Sequence, residues 1–336
     1  MASKTPTATI VTACDSSFLW GALLLIVSLR FHKVNLPVHV FAVGFDEEHK
    51  RMITQFPDVT IYDSESQHGK VPEILEFTRN NLNLFKPRAM LTAVSDYMIW
   101  MDADCVVNGN VTESLIKDTR SFDIRFRGAK ENVLRFDGYY GTGDVSGSIP
   151  KGILRKWQQD VGEREESQIK TAPSAFCLRV HKNYRPFIQK WEDFMVQLLS
   201  QHPGPINKNT SSYVFSTGSS LSDELALSAL LAFSKDEITL GEFNLDKDLS
   251  SRLIHFQGYP KPWQGWNGRT FQHFDLVCSL VEWAQSTGYY LPPIPWVFKR
   301  RNKVCCYLQR TLDASKHLLK ALVKMFLPKG IIRKLR

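Results

Sequence analysis

Two acids separated by one small residue close the apolar run Met98-Ile99-Trp100-Met101-Asp102-Ala103-Asp104-Cys105-Val106-Val107. A strand that ends this way can bring both carboxylates to one hard divalent cation, which takes oxygen ligands. The same pair would serve equally well to cap a following helix or to sit in solvent. Far downstream, Leu253-Ile254 leads into His255-Phe256-Gln257-Gly258-Tyr259-Pro260-Lys261-Pro262-Trp263. An imidazole can complete a cation site begun by two carboxylates, and a lysine nearby can pair with phosphate oxygens as a point charge. Gly258 permits close approach of backbone to a ligand, and Pro262 stiffens the exit.

Elements able to position these groups are visible in the first hundred residues, where short β-branched or apolar runs alternate with helical ones. That alternation predicts a parallel sheet covered by helices. Strands are expected at Ala8–Ala13, His39–Val43, Thr60–Tyr62 and Tyr97–Met101, with helices near Ser17–Arg30, Glu47–Phe56, Pro72–Asn81 and Pro87–Ser95. In an open α/β sheet, ligands bind at the carboxyl ends of strands, which singles out Thr12 to Ser17 and Asp102 to Asp104. Thr12-Ala13-Cys14-Asp15-Ser16-Ser17 is neither a glycine-rich dinucleotide fingerprint nor a phosphate loop, which argues against both enzyme classes. From Ser121 to Thr217 the pattern turns irregular: Gly138 to Gly147 reads as loop, and helices are expected over Asn183–Ser200 and, beyond it, Leu221–Phe233.

The two motifs together resemble glycosyltransferase family 8, which pairs a strand-ending Asp-x-Asp with a downstream His-x-x-Gly-x-x-Lys-Pro-Trp, over roughly residues 6 to 275. The resemblance implies a GT-A fold, Mn²⁺ (or Mg²⁺) held by Asp102, Asp104 and His255, and a UDP-sugar donor whose diphosphate meets Lys261. Thr12, Ala13 and Asp15, with Gly21 and Ser28 following, are similar to the family's first strand and helix, where uracil and ribose bind. By the same resemblance Ala103 and Gly258 lie at the donor, and Lys86 matches a basic position that contacts it. Without the resemblance Lys86 reads as an ordinary solvated lysine.

Asp223-Glu224 is similar to the family's Asp-Gln segment near the transferred sugar, and otherwise reads as acids complementing a helix N-terminus. Glu for Gln is a departure, placing a negative charge beside the sugar or toward solvent. A second departure is Pro173-Ser174-Ala175-Phe176-Cys177, which stands where the family carries Asn-x-Gly. The family retains anomeric configuration. A double displacement would take Asp223 as its nucleophile, and front-face return is equally compatible with these residues.

Composition narrows the classes further. Twelve of the 42 basic residues fall between Lys299 and Arg336 with Asp313 as the only acid, so that segment carries +11 and the rest −3. Charge confined to one end disfavours nucleic acid and favours an anionic membrane surface. Leu312, Leu319, Leu322, Val323 and Phe326 recur at helical spacing, with Lys316, Lys320 and Lys324 on another face. The apolar run Phe18 to Leu29 is shorter than the ~20 residues a spanning helix needs, and reads as a buried first helix. Six cysteines without metal or disulfide spacing fit a reducing compartment.

The expectation is a cytoplasmic, peripherally membrane-associated transferase. Its domain would span 1–298, with a nucleotide-binding half near 6–110, a metal-completing and acceptor half near 111–298, and a basic tail over 299–336. It would move a hexose from a UDP-sugar to an oligosaccharide or lipid-linked glycan such as lipopolysaccharide. The alternatives are a protein or self-glycosylating enzyme, for which Tyr139 and Tyr140 are notable, and a non-catalytic nucleotide-sugar-binding relative.

Overall fold

A computed structural model describes residues 7–63, 85–139, 142–201, 213–214, 220–221, 223–242, 252–312 and 315. The helix expected over Pro72–Asn81, the tail from Lys316 onward, and the side chains of Tyr139 and Tyr140 lie outside the described residues.

The sheet begins with β1 (Ala8–Asp15), β2 (Val38–Val43), β3 (Val59–Asp63) and β4 (Tyr97–Met101). After β5 (Cys105–Val107) come β6 (Phe122–Phe126), β7 (Pro173–His181), the short pair β8 (Tyr213–Val214) and β9 (Ser220–Leu221), then β10 (Leu240–Glu242) and β11 (Leu253–His255). Seven strands form one sheet in the order β10-β6-β7-β4-β1-β2-β3. Only β7 runs against its neighbours, so the sheet is mostly parallel. It continues through both halves of the chain, since β7 pairs directly with β4.

Strand alternation divides the core into two layers. Ile10 and Cys14 of β1, and Tyr97, Ile99 and Met101 of β4, face α1 (Leu19–Phe31) and α9 (Phe274–Ser286). Val11 and Ala13, with Met98 and Trp100, face the opposite layer. That layer holds α3 (Lys86–Leu91), α7 (Arg185–Gln201) and α8 (Asp223–Phe233). α1 is buried continuously from Gly21 to Leu29, which confirms the apolar run as a core helix. It is preceded by a 3₁₀ turn over Ser16–Phe18, where a longer α-helix was expected. The helix expected to reach Ser95 stops at Leu91, and the expected loop from Gly138 opens inside a π-helical turn, Leu134–Tyr139. Among the described residues no helix is long and apolar enough to cross a membrane. None of the six cysteines is in a disulfide.

Candidate active site

Backbone pairing assembles the site. The Asp102 N–H donates to Phe176 O at 2.9 Å, extending the β4·β7 ladder by one rung, and the Cys105 N–H donates back to Asp102 O at 2.9 Å. Both acids therefore sit on a tight turn between β4 and β5. Antiparallel pairing of β11 with β5 sets His255 opposite Cys105, and the Phe256 N–H donates to Asp104 O at 2.9 Å. His255 Nε2 lies 3.2 Å from Asp104 Oδ1 and 3.8 Å from Asp102 Oδ2. The Phe176 ring stacks on the imidazole with centroids 4.7 Å apart and planes 12° from parallel.

The chain then turns at Gly258, whose φ of 78° lies in the left-handed region that glycine adopts freely. This returns Lys261 to the acids: its ammonium pairs with Asp104 Oδ2 and donates to Phe256 O at 2.9 Å, although 157 residues separate Lys261 from Asp104. On the helix side, Gly21 makes room for the turn. A Cβ there would lie 2.7 Å from Ala103 O and 2.7 Å from Trp263 Cη2, closer than packed atoms tolerate.

The two acids are electrostatically unequal. Burial pushes the Asp102 carboxyl up, and Lys86 and His255 only partly offset this. Burial acts on Asp104 as well, but His255 and Lys261 outweigh it and hold that carboxyl at about 2. Cys105 offers a thiol within 4.8 Å of the Asp104 and His255 ligand atoms. Burial beside two carboxylates raises that thiol well above its usual range, and a soft sulfur suits a hard cation less well than the carboxylate oxygens do.

Lys86 is not the solvated lysine its isolated sequence context predicts. It is 2 % exposed. Its ammonium lies 3.2 Å from Asp102 Oδ1 and 2.7 Å from Asp223 Oδ2, and donates to Ala175 O at 2.8 Å. Burial works against that charge, but Asp102 and Asp223 raise the ammonium above the ordinary lysine value. Asp223, expected near the sugar, is thus joined through Lys86 to the acid pair.

Glu224 is turned away from solvent. It is clamped by Arg127 at 2.6 and 3.0 Å and by Arg135 at 2.6 Å, and accepts the Ala175 N–H at 3.2 Å. Burial raises this carboxyl, but Arg135 and Arg127 prevail and lower it overall. A depressed carboxyl stabilises the fold at pH above its unfolded value of about 4.3, and that contribution disappears as pH falls through the folded value. Glu224→Gln is expected to cost about 1.5–3 kcal/mol at pH 7. In urea titrations its deficit should shrink toward pH 3, and a deficit constant with pH would contradict the clamp.

Of the first-strand residues, Thr12 is fully buried, with its hydroxyl unpartnered among the described residues, and Ala13 is 7 % exposed. Asp15 Oδ1 caps the following turn, accepting the N–H groups of Ser17 at 2.9 Å and Phe18 at 3.1 Å. The carboxyl end of β1 runs beside that of β4, with Val11 opposite Trp100. Sequence reasoning missed the roles of Arg127, Arg135 and Phe176. Arg127 and Arg135 carry no local signal, because their partner lies on another element.

Fold and site together define an α/β architecture with two acids, an imidazole and an ammonium gathered at the carboxyl end of a central strand. No protein-family model matches the chain, and no curated protein sequence matches it. Among solved structures it is similar to galactosyltransferase LgtC in complex with donor and acceptor sugar analogues, at 14% identity over 86% of this chain and 98% of that one, TM-score 0.49. It is also similar to the WbbM bifunctional glycosyltransferase, at 13% identity over 78% of this chain and 48% of that one, TM-score 0.46. The glycosyltransferase GlyE of Streptococcus pneumoniae is 15% identical over 85% of this chain and 65% of that one, TM-score 0.44.

Proposed function

We propose that this chain is a metal-dependent, retaining glycosyltransferase of GT-A type that moves a hexose from a UDP-sugar to an oligosaccharide or lipid-linked glycan. The observation that carries this reading is the convergence of Asp102, Asp104 and His255 from distant segments, with Lys261 against them. The donor set fits a hard divalent cation such as Mn²⁺ or Mg²⁺. Carboxylate oxygens and one imidazole nitrogen face one another, and Asp102 keeps 23 % of its side-chain surface open.

When bound, the cation supplies Lewis-acid stabilisation of the charge that develops on the departing diphosphate. The chain's own groups do the rest. Asp102, Asp104 and His255 would hold the cation, and Lys261 would add a fixed positive charge near the diphosphate. Phe176 shields the imidazole on one face. Lys86 keeps the Asp223 carboxylate beside the acid pair, where a double displacement would draw on it as nucleophile, whereas front-face return would need no such group.

The nucleotide would occupy the half near 6–110, and the later half would complete the metal site and receive the acceptor. The protein would work in the cytoplasm on a membrane surface. Residues 303–312 are helical and leave Val304, Leu308 and Leu312 exposed at i, i+4 and i+8, among Arg301, Lys303 and Arg310. Such a stripe, followed in sequence by the cations of the tail, fits the interface of an anionic bilayer.

Purified protein incubated with Mn²⁺ and a panel of UDP-sugars, without acceptor, should release UDP slowly from one of them. Silence across the panel, with UDP still bound, would favour a non-catalytic nucleotide-sugar binder. In the same preparations, full-length protein should float with anionic liposomes, and a chain ending at Phe298 should not. Equal flotation would remove the tail from the proposal.

A further inference from the structure

We infer that Trp100 is a positioning residue for the cation site, turning Asp102 so that a single carboxylate oxygen faces His255. This rests on the proposed reading of Asp102, Asp104 and His255 as cation ligands. Trp100 and Asp102 stand two residues apart at the end of β4 and so lie on the same side of the chain. The indole N–H donates to Asp102 Oδ1 at 2.6 Å, and the Lys86 ammonium lies 3.2 Å from that same oxygen. Oδ2 is left on the side of His255 Nε2, 3.8 Å away.

Trp100 fixes the second partner of Oδ1 as well. Lys86 Nζ lies 5.0 Å from the centroid of the indole, within range of a cation–π contact. One buried side chain, 2 % exposed, thereby touches both the carboxylate and the cation that pairs with it. A hydrogen bond to an ionised acceptor is among the stronger kinds, and here it also selects a rotamer. An aromatic ring without that N–H would fill much of the same space and leave Asp102 free to rotate about its last torsion.

The test uses the full chain and counts bound Mn²⁺ by loss of the free-ion electron paramagnetic resonance signal. Trp100→Phe should weaken Mn²⁺ binding about 10–100-fold, the usual consequence of losing a partner that orients a metal ligand. Trp157→Phe, a buried tryptophan packed on Phe136, should leave Mn²⁺ affinity unchanged and so controls for loss of core packing. If Trp100→Phe fails to fold, Trp100→Tyr keeps a bulky ring without the side-facing donor and gives the same comparison. Wild-type binding matched within threefold by the folded variant would overturn the role of Trp100 alone. Wild-type protein that binds no Mn²⁺ would instead sink the cation site, and this inference with it.

Discussion

Asp104→Asn is expected to eliminate Mn²⁺-dependent UDP binding and to lower transfer at least about 100-fold. Asp104 is the acid with two commitments, Oδ1 toward His255 Nε2 at 3.2 Å and Oδ2 on the Lys261 ammonium. The amide keeps the shape but removes the charge, so the cation loses a ligand and Lys261 loses its counter-ion. Lys261 is 6 % exposed, and an ammonium left buried against Phe256 O alone is costly, on the order of 3–5 kcal/mol for a pair broken on one side. The single variant should therefore be both inactive and less stable. Asp104→Asn with Lys261→Met should recover stability without recovering activity, which separates the two effects. The sign with pH follows from the carboxyl held at about 2. Its contribution to stability is complete above the unfolded value of about 3.9 and is lost as pH falls through about 2. Titration calorimetry with UDP and Mn²⁺, urea unfolding and a transfer assay provide the readouts. An Asp104→Asn protein that kept most of its activity in Mn²⁺ would refute the site.

Much of the parallel half of the sheet was legible because strands buried on both faces read as continuous apolar runs between polar turns. β4 was anticipated residue for residue, and β1, β2 and β3 to within two residues at each end. β7 was lost in the irregular middle, since it opens with a proline and carries Arg179 and His181 at buried positions. Those residues look wrong for a core strand until the partner appears. Arg179 Nε donates to Asp123 Oδ2 at 2.7 Å, and Asp123 is supplied by β6.

The site divides along the same line. Asp102, Asp104, His255 and Lys261 were visible as motif residues, whereas the clamp on Glu224 joins side chains 97 residues apart and leaves no local trace. The segment that departs from the expected Asn-x-Gly does much of the holding. Pro173 O accepts from Arg127, and Ala175 uses its carbonyl for Lys86 and its N–H for Glu224. Phe176 supplies a carbonyl to Asp102 and a ring to His255. These are mainly backbone roles, which side-chain identity does not announce.

Lys86→Met should damage the fold near the site about as much as Asp104→Asn, with an expected loss of about 3–5 kcal/mol. The methionine would fill the space of the lysine stem but leave Asp102 and Asp223 facing each other without the ammonium that lies 3.2 and 2.7 Å from them. Removing one partner of a buried ion cluster costs more than replacing the whole cluster, because the remaining charges stay desolvated. Lys86→Met with Asp223→Asn should consequently be more stable than Lys86→Met alone, a coupling that a double-mutant cycle measures directly. The pH dependence has a definite direction on each side. In the wild type the lysine value is raised, so its contribution is complete below about 10.4 and is lost as pH climbs through the higher folded value. In Lys86→Met the Asp102 carboxyl, already raised by burial, loses the ammonium that offsets this, so the variant's deficit should be smaller at pH 5 than at pH 8. Urea midpoints equally low at both pH values, and unchanged by Asp223→Asn, would show that Lys86 contributes through packing and not through charge.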